Sequence, residues 1–286
     1  MTESGHFDVV VVGGGPAGAT AAHDLARAGH QVMLIERGGR IKPCGGAVPP
    51  RRIEDFDIPE HLIVARATSA RMVSPAGCEV DMPINGGSVG MVEREHFDEW
   101  LRSRACEAGA VRVEGDFQHI DREGDGLPVL VYKTKDEHGR LTERRVRTRL
   151  IIGADGARSK VGQQEIGDGE HMKCVFAYHE IIESPRVSED PSFDGNRCDI
   201  FYQGKLSPDF YAWVFPHGGV TSVGVGSAVK GFSLKSAITA LRQERGLDNQ
   251  STVRTEGAPI PLKPRKKWDN GRDVILAGDA AGCVAP

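Results

Sequence analysis

Apolar residues follow two different rhythms along this chain. The stretch 7–36 reads FDVVVVGGGPAGATAAHDLARAGHQVMLIE. The four valines at 9–12 form an unbroken apolar run, which predicts a strand buried on both faces, as at the centre of a parallel sheet. Three glycines end it, a helix of small residues follows, and 31–35 predicts a second strand closed by Glu36. Residues 93–108 return to helical spacing. Phe97, Leu101 and Ala105 make one stripe, Trp100 extends it, and Gly109 stops it. The second rhythm has period two. Residues 68–92 predict short antiparallel strands with turns at 75–77 and 85–87. Residues 110–154 carry VRVEG, FQHID, PVLVYK and RVRTRLIIGA, joined by hairpin connections at 121–128 and 136–139. From 171 to 228 the runs KCVFAYHEII, RCDIFYQG, FYAWVFP and VTSVGVGSA predict a large antiparallel sheet with one buried face. An amphipathic helix is expected over 233–246. The Pro-rich segment 257–264 then leads to DVILAGDAAG, another buried strand entering a turn and helix.

This is not a plain β-α-β-α succession, because β-rich inserts interrupt it twice. The expected fold class is α/β with a mixed α+β character: a Rossmann-type dinucleotide-binding domain interleaved with an antiparallel β-sheet substrate domain. The first is expected on 1–66, 93–168 and 257–286, the second on 68–92 and 170–256. The stretch 37–52, RGGRIKPCGGAVPPRR, is expected to be a long loop with a functional role.

Composition narrows the function classes. The chain has 286 residues, 39% hydrophobic and 27% charged, as in ordinary globular proteins. A net charge of −4 gives no sign of a nucleic-acid partner. No apolar stretch approaches the ~20 residues needed to span a bilayer, and no signal peptide is expected. The six cysteines form no C-x-x-C pair. They point to a reducing, cytoplasmic compartment and against both a disulfide framework and a metal site.

The chemistry begins at Gly13, Gly15 and Gly18, which fit G-x-G-x-x-G between a strand and a helix. The first permits the tight turn, the second lets the backbone approach a pyrophosphate, and the third allows close packing of helix on strand. Pro16 and Ala17 stand at the helix start, where free N–H groups and the dipole suit a diphosphate. Glu36 is placed to accept from a ribose 2′-hydroxyl. Its carboxylate would repel a 2′-phosphate, so FAD or NAD suits this cradle better than NADP. Arg37 beside it is either a second cofactor contact or a solvated surface charge.

Two further turns complete a signature. LIIGADGARSKVG at 150–162 and VILAGDAAG at 274–282 each end an apolar strand in a sharp turn with one carboxylate. With the glycine cradle they resemble the DG and GD motifs of the p-hydroxybenzoate hydroxylase-type flavoproteins. That resemblance implies FAD, with Gly278 and Asp279 at the ribityl chain and Asp155 beside the flavin and nicotinamide path. It also implies NADPH as a transient hydride donor without a Rossmann domain of its own. Arg94 resembles the arginine that meets FAD near its phosphates, or is a solvated helix-start charge.

Within that group, KPCGGAVP at 42–49 and PDFYAWVFP at 208–216 resemble the geranylgeranyl reductases of (bacterio)chlorophyll synthesis, across nearly the whole chain. The resemblance implies reduction of three C=C bonds of a geranylgeranyl group, carried on a diphosphate or a (bacterio)chlorophyll ester, to phytyl. Tyr211, Trp213 and Phe215 share one face of a strand. They are read as the wall of a prenyl tunnel, against an ordinary sheet core. Cys44, with Gly45 and Gly46, could contact the flavin or donate a proton, or be a small residue in a turn. His217 is another candidate acid or a strand-end surface residue. A substrate this greasy makes peripheral membrane association an expectation. The alternatives are an aromatic-ring monooxygenase of the same fold and an inactive truncated flavoprotein fragment. The last is raised by the ending at Pro286, where the family's Gly-rich turn and helix would follow. A flavin halogenase is disfavoured because FYAWVFP lacks W-x-W-x-I-P.

Overall fold

The computed structural model describes residues 6–39, 41–166, 172–186 and 193–284. Arg40 of the expected loop and the end at Pro286 lie outside the described residues. The chain forms two compact units. The first comprises 1–41, 98–174 and 260–286, and the second 42–97 and 175–259. The sequence reading had put 42–66 and 93–97 with the first unit. They lie in the second, because strand Ile63–Ala67 and strand Ala47–Val48 both pair with strand Val89–Val92. The division falls inside helix Arg94–Glu107, after Phe97.

The first unit is built on a seven-stranded sheet. Its order is Val111–Glu114, Val32–Glu36, His6–Val12, Leu141–Gly153, Pro128–Lys135, Asp116–Arg122, with Val274–Leu276 also on Leu141–Gly153. The four valines at 9–12 are at most 5% exposed, as their unbroken run requires. The 13-residue strand Leu141–Gly153 changes partner along its length. Its first half pairs antiparallel with Pro128–Lys135. Its last residues run parallel between His6–Val12 and Val274–Leu276. Three parallel strands therefore end side by side, and each opens into a glycine-bearing turn. Helix Pro16–Arg27 follows the first turn and helix Lys160–Glu165 the second. A short 3-10 turn, Gly278–Ala281, follows the third.

An ion cluster holds the second and third of these ends in place. The Arg122 guanidinium donates to Glu165 at 2.6 and 3.1 Å and to Asp273 at 2.7 and 3.3 Å. Asn270 adds hydrogen bonds to both carboxylates. This links the strand Asp116–Arg122, the helix after the second turn, and the entry to the strand before the third.

The second unit carries a seven-stranded sheet in the order Thr252–Pro261, Cys174–Glu183, Val220–Ser227, Ala212–His217, Arg197–Phe201, Ser69–Val73, Glu79–Pro83. Two expectations need correction. The sheet is not wholly antiparallel, since Arg197–Phe201 runs parallel to Ser69–Val73. The two inserts meet there, and no hairpin can join strands so far apart in the chain. The Pro-rich residues 257–259, expected with the first unit, belong to the strand Thr252–Pro261 of this one. It sits at the sheet edge, where proline's missing N–H costs no ladder bond. Helix Leu234–Glu244, capped by Ser233, packs Ala237, Ile238 and Leu241 on one sheet face, with Val214, Val223 and Val225. The residues that alternate with these, Trp213 and Phe215 among them, face the other way.

Removing the Arg122 charge leaves two carboxylates together at low exposure. Arg122→Met is expected to lower the unfolding free energy by about 3 kcal/mol, measured by urea denaturation.

Candidate functional site

The first turn is shaped by what it cannot accommodate. Gly13 has φ +106°, and a Cβ there would run into the Ala154 carbonyl of the second turn. A Cβ at Gly18 would strike the Gly13 carbonyl, and one at Gly278 would lie 2.7 Å from the Ala17 methyl. The backbone is tied across the strands as well. Gly13 N–H donates to the Ile35 carbonyl at 2.8 Å, Ala154 N–H to Val12 at 2.8 Å, and Ala277 N–H to Gly153 at 2.9 Å. Gly15 differs from its neighbours, because a Cβ there meets no protein atom within 4 Å. Gly15 also caps helix Pro16–Arg27 with no side-chain hydrogen bond, and the first turn of that helix holds no acid. A positive helix end thus faces open space over a backbone with no side chain. These features fit the diphosphate of FAD.

Beside this turn, Glu36 accepts a hydrogen bond from Gly14 N–H. It lines a cleft of about 180 Å³ with Arg37, Gly38, Gly39, Glu99, Arg102, Arg112 and Glu114. Arg37 is half exposed and lies 3.7 Å from Asp116. Sequence reasoning missed Arg102, which donates to the Gly14 carbonyl at 3.1 Å and to Glu99 at 3.0 and 3.1 Å. Arg112 holds the other side of the same carboxylate at 2.5 and 3.0 Å. Its charge-assisted hydrogen bonds, with those of Arg102, keep the Glu99 carboxyl below its usual range. The signal for Arg102 was its place one residue beyond Leu101, off the apolar stripe.

At the second turn Asp155 points into the fold. Its carboxylate accepts from Ser159 Oγ at 2.5 Å, Lys160 N–H at 2.7 Å and Val161 N–H at 3.2 Å. It caps helix Lys160–Glu165, and burial pushes its pKa up. Asp279 lies in the third turn, and its charge, after burial, helps to raise the Cys174 thiol pKa. Arg94 is the first residue of its helix and belongs to the second unit.

Within the second unit the structure brings the 44–46 loop to the aromatic strand. Gly45 packs over the Phe215 ring, with its Cβ position 3.3 Å away. Gly46 has φ +70°, and a Cβ there would sit 2.5 Å from His217 Cε1. Exposed Cys44 is one of the groups acting on the Tyr211 hydroxyl, whose pKa is raised first by burial. The aromatic rings form a continuous row. Phe210 stacks on Tyr211 with centroids 4.1 Å apart, Tyr211 meets Trp213 edge-on at 5.9 Å, and Trp213 lies 6.2 Å from Phe215. Trp213 is 5% exposed and opposite Gly224, which leaves room for the indole. Tyr211 and Phe215 are half-buried and present the row's free surface.

Beneath this apolar row runs a chain of charges. Trp213 Nε1–H donates to Ser222 Oγ at 3.1 Å, which lies 3.0 Å from His179 Nδ1. His179 Nε2 is 3.0 Å from Glu256. Arg254 donates to Glu256 at 2.8 Å and to Glu93 at 3.0 Å. Glu93 pairs with His217 Nδ1 at 3.0 Å, and His217 Nε2 donates to the Gly45 carbonyl at 3.0 Å. His217 is 7% exposed, so it is no surface residue. The other members escaped the sequence reading. The period-two spacing of Arg254 and Glu256 was the one local sign.

The FAD binding domain family model matches residues 6–188. The geranylgeranyl diphosphate reductase of Rhodobacter capsulatus is 55% identical over 98% of this chain and 70% of its own length. The chain belongs to the geranylgeranyl reductase family. The chloroplastic geranylgeranyl diphosphate reductase of Oryza sativa is 38% identical over 96% of this chain and 61% of its own length. The chain thus spans between three-fifths and seven-tenths of these two family members. A solved geranylgeranyl bacteriochlorophyll reductase-like protein from Thermoplasma acidophilum has the same fold. Its TM-score is 0.83 at 24% identity, over 97% of this chain and 72% of that one. FAD is the cofactor of this family's fold, and the cradle around Gly15 fits it.

The charge chain makes stability depend on pH. The hydrogen bond from His179, with Arg254 adding, holds the Glu256 pKa at about 2 against an ordinary 4.5. A depressed carboxylate stabilises the fold above its unfolded pKa and loses that contribution as pH falls through the folded value. Urea midpoints are therefore expected to drop between about pH 4.5 and pH 2, and Glu256→Gln is expected to flatten that drop.

Proposed function

We propose that this chain is the FAD- and NADPH-dependent part of a geranylgeranyl reductase. It saturates three C=C bonds of a geranylgeranyl group, as the diphosphate or the (bacterio)chlorophyll ester, to give phytyl for (bacterio)chlorophyll synthesis. The observation that carries this reading is the aromatic row at 210–215 with the 44–46 loop against it, in a chain 55% identical to a geranylgeranyl diphosphate reductase.

The chemistry accounts for such a site. An isolated trisubstituted alkene has no carbonyl to polarise, so each saturation needs a hydride at one carbon and a proton at the other. FAD, once reduced by NADPH, supplies the hydride. The protein's share is to orient the alkene, exclude water and hold a proton. Tyr211 and Phe215 offer apolar area to the prenyl chain, and Cys44 and His217 are the groups assigned to hold the proton. Asp155 serves the cofactor through the helix it caps, and Asp279 at the ribityl chain. Arg37 and Arg94 are assigned to the adenosine and diphosphate parts.

No helix among the described residues is long and apolar enough to cross a membrane. No group of metal-ligating side chains occurs among them either. We place the protein in the cytoplasm, in peripheral contact with a photosynthetic membrane that delivers the pigment ester. Nucleic acid has no part in this reading.

The test offers geranylgeranyl diphosphate and the pigment ester, separately, with NADPH and FAD, and follows products by mass. Successive additions of two hydrogens ending at phytyl are expected. Tyr211→Ala should raise KM about tenfold, the cost of exposing one aromatic contact. Oxygen uptake with a phenol and no prenyl reduction would instead make the protein a monooxygenase.

A further inference from the structure

A charge chain buried behind a wall for a hydrocarbon calls for an explanation, since apolar residues of the same volume would cost less to bury. Its hydrogen bonds have a fixed direction. The Gly45 carbonyl can only accept, so His217 Nε2 carries a hydrogen. Nδ1 lies 3.0 Å from a Glu93 carboxylate oxygen, an ion-pair contact outside hydrogen-bond geometry. Glu93 and the Gly45 carbonyl thus hold the ring from its two nitrogens. On the other side of Arg254, Glu256 accepts from His179 Nε2–H. His179 Nδ1 lies 3.0 Å from Ser222 Oγ, which accepts from the Trp213 indole. Arg254 touches both carboxylates. One end of the chain fixes the 44–46 loop, and the other fixes the orientation of the indole in the aromatic row.

We propose that His217, Glu93 and Arg254 are positioning residues for the reduction. His217, held between Glu93 and the Gly45 carbonyl, locks the 44–46 loop onto strand Ala212–His217. Arg254 ties that lock to the Glu256–His179–Ser222 chain that aims Trp213. The role in reduction rests on the reductase reading above; the lock itself does not. Neither end of the chain is a proton-donating group, since one is a carbonyl and the other an indole. Its work is geometry: the loop with Cys44 and the wall for the prenyl chain are held as one rigid body.

The lock is tested on the whole chain without cofactor or substrate. Glu93→Gln, which keeps the volume, and His217→Leu are expected to speed amide exchange at 42–49 about tenfold. That is the factor one lost polar contact of this kind carries. Exchange in helix Leu234–Glu244 should stay unchanged. His217→Gln keeps an N–H for the Gly45 carbonyl and should restore most of the protection. In the prenyl assay, Glu93→Gln should lower kcat about tenfold with KM within about twofold. Unchanged exchange at 42–49 in Glu93→Gln would overturn the lock, as would loss of protection throughout the unit. Wild-type protein that shows the lock but reduces no prenyl substrate would refute the positioning role together with the reductase reading, and leave the lock standing.

Discussion

The first unit depends on one packing constraint: three parallel strands must end side by side with almost no side chain between their turns. His6–Val12, Leu141–Gly153 and Val274–Leu276 meet this because glycine or alanine stands at each contact. Gly13 lies against Ala154, Gly18 against Gly13, and Gly278 against Ala17. Each methyl added here would separate strands whose ladder bonds are already made. The close fit concentrates backbone N–H groups and carboxylates at one edge of the sheet, where open α/β sheets bind their ligands. Gly15 stands apart because its missing side chain relieves no clash with protein. It leaves backbone bare toward a ligand. The ion cluster of Arg122, Glu165 and Asp273 fixes the second and third ends, so that edge is set by both packing and charge.

The second unit solves a different problem. A hydrocarbon substrate gives few directional contacts, so a wall for it has to be rigid by its own means. One face of the sheet is locked by helix Leu234–Glu244 in an ordinary apolar core. The other face carries the aromatic row, and its rigidity comes from polar groups behind it. Trp213, 5% exposed, serves as a strut, while Tyr211 and Phe215 offer surface.

What was legible in the sequence was local. The valines at 9–12, the glycines at 13, 15 and 18, the stripe at 97, 101 and 105, and the alternation at 211, 213 and 215 each carry their meaning within one element. The three turns were legible for the same reason, since each is an apolar strand handed to a small-residue turn. The pairing of Arg197–Phe201 with Ser69–Val73 joins segments more than a hundred residues apart, and no periodicity reports it. Thr252–Pro261 was hidden because its prolines signal loop unless the strand lies at an edge. Asp155 was recognised by motif, but its cap on the following helix depends on where Ser159 and Lys160 turn. The charge chain was least legible. Glu93, His179, His217, Arg254 and Glu256 come from separate segments, and each alone resembles a solvated charge.

The central claim is that the bare backbone at Gly15 receives the diphosphate of FAD. A Gly15→Val chain tests it most directly, because φ −74° there suits any residue and a Cβ meets no protein atom within 4 Å. FAD binding, followed by quenching of flavin fluorescence, is compared with wild type alongside urea unfolding. The account predicts an unchanged urea midpoint and FAD affinity weakened by about a hundredfold or more, the cost of displacing a charge-assisted phosphate contact. Equal FAD affinity in the two folded proteins would contradict it.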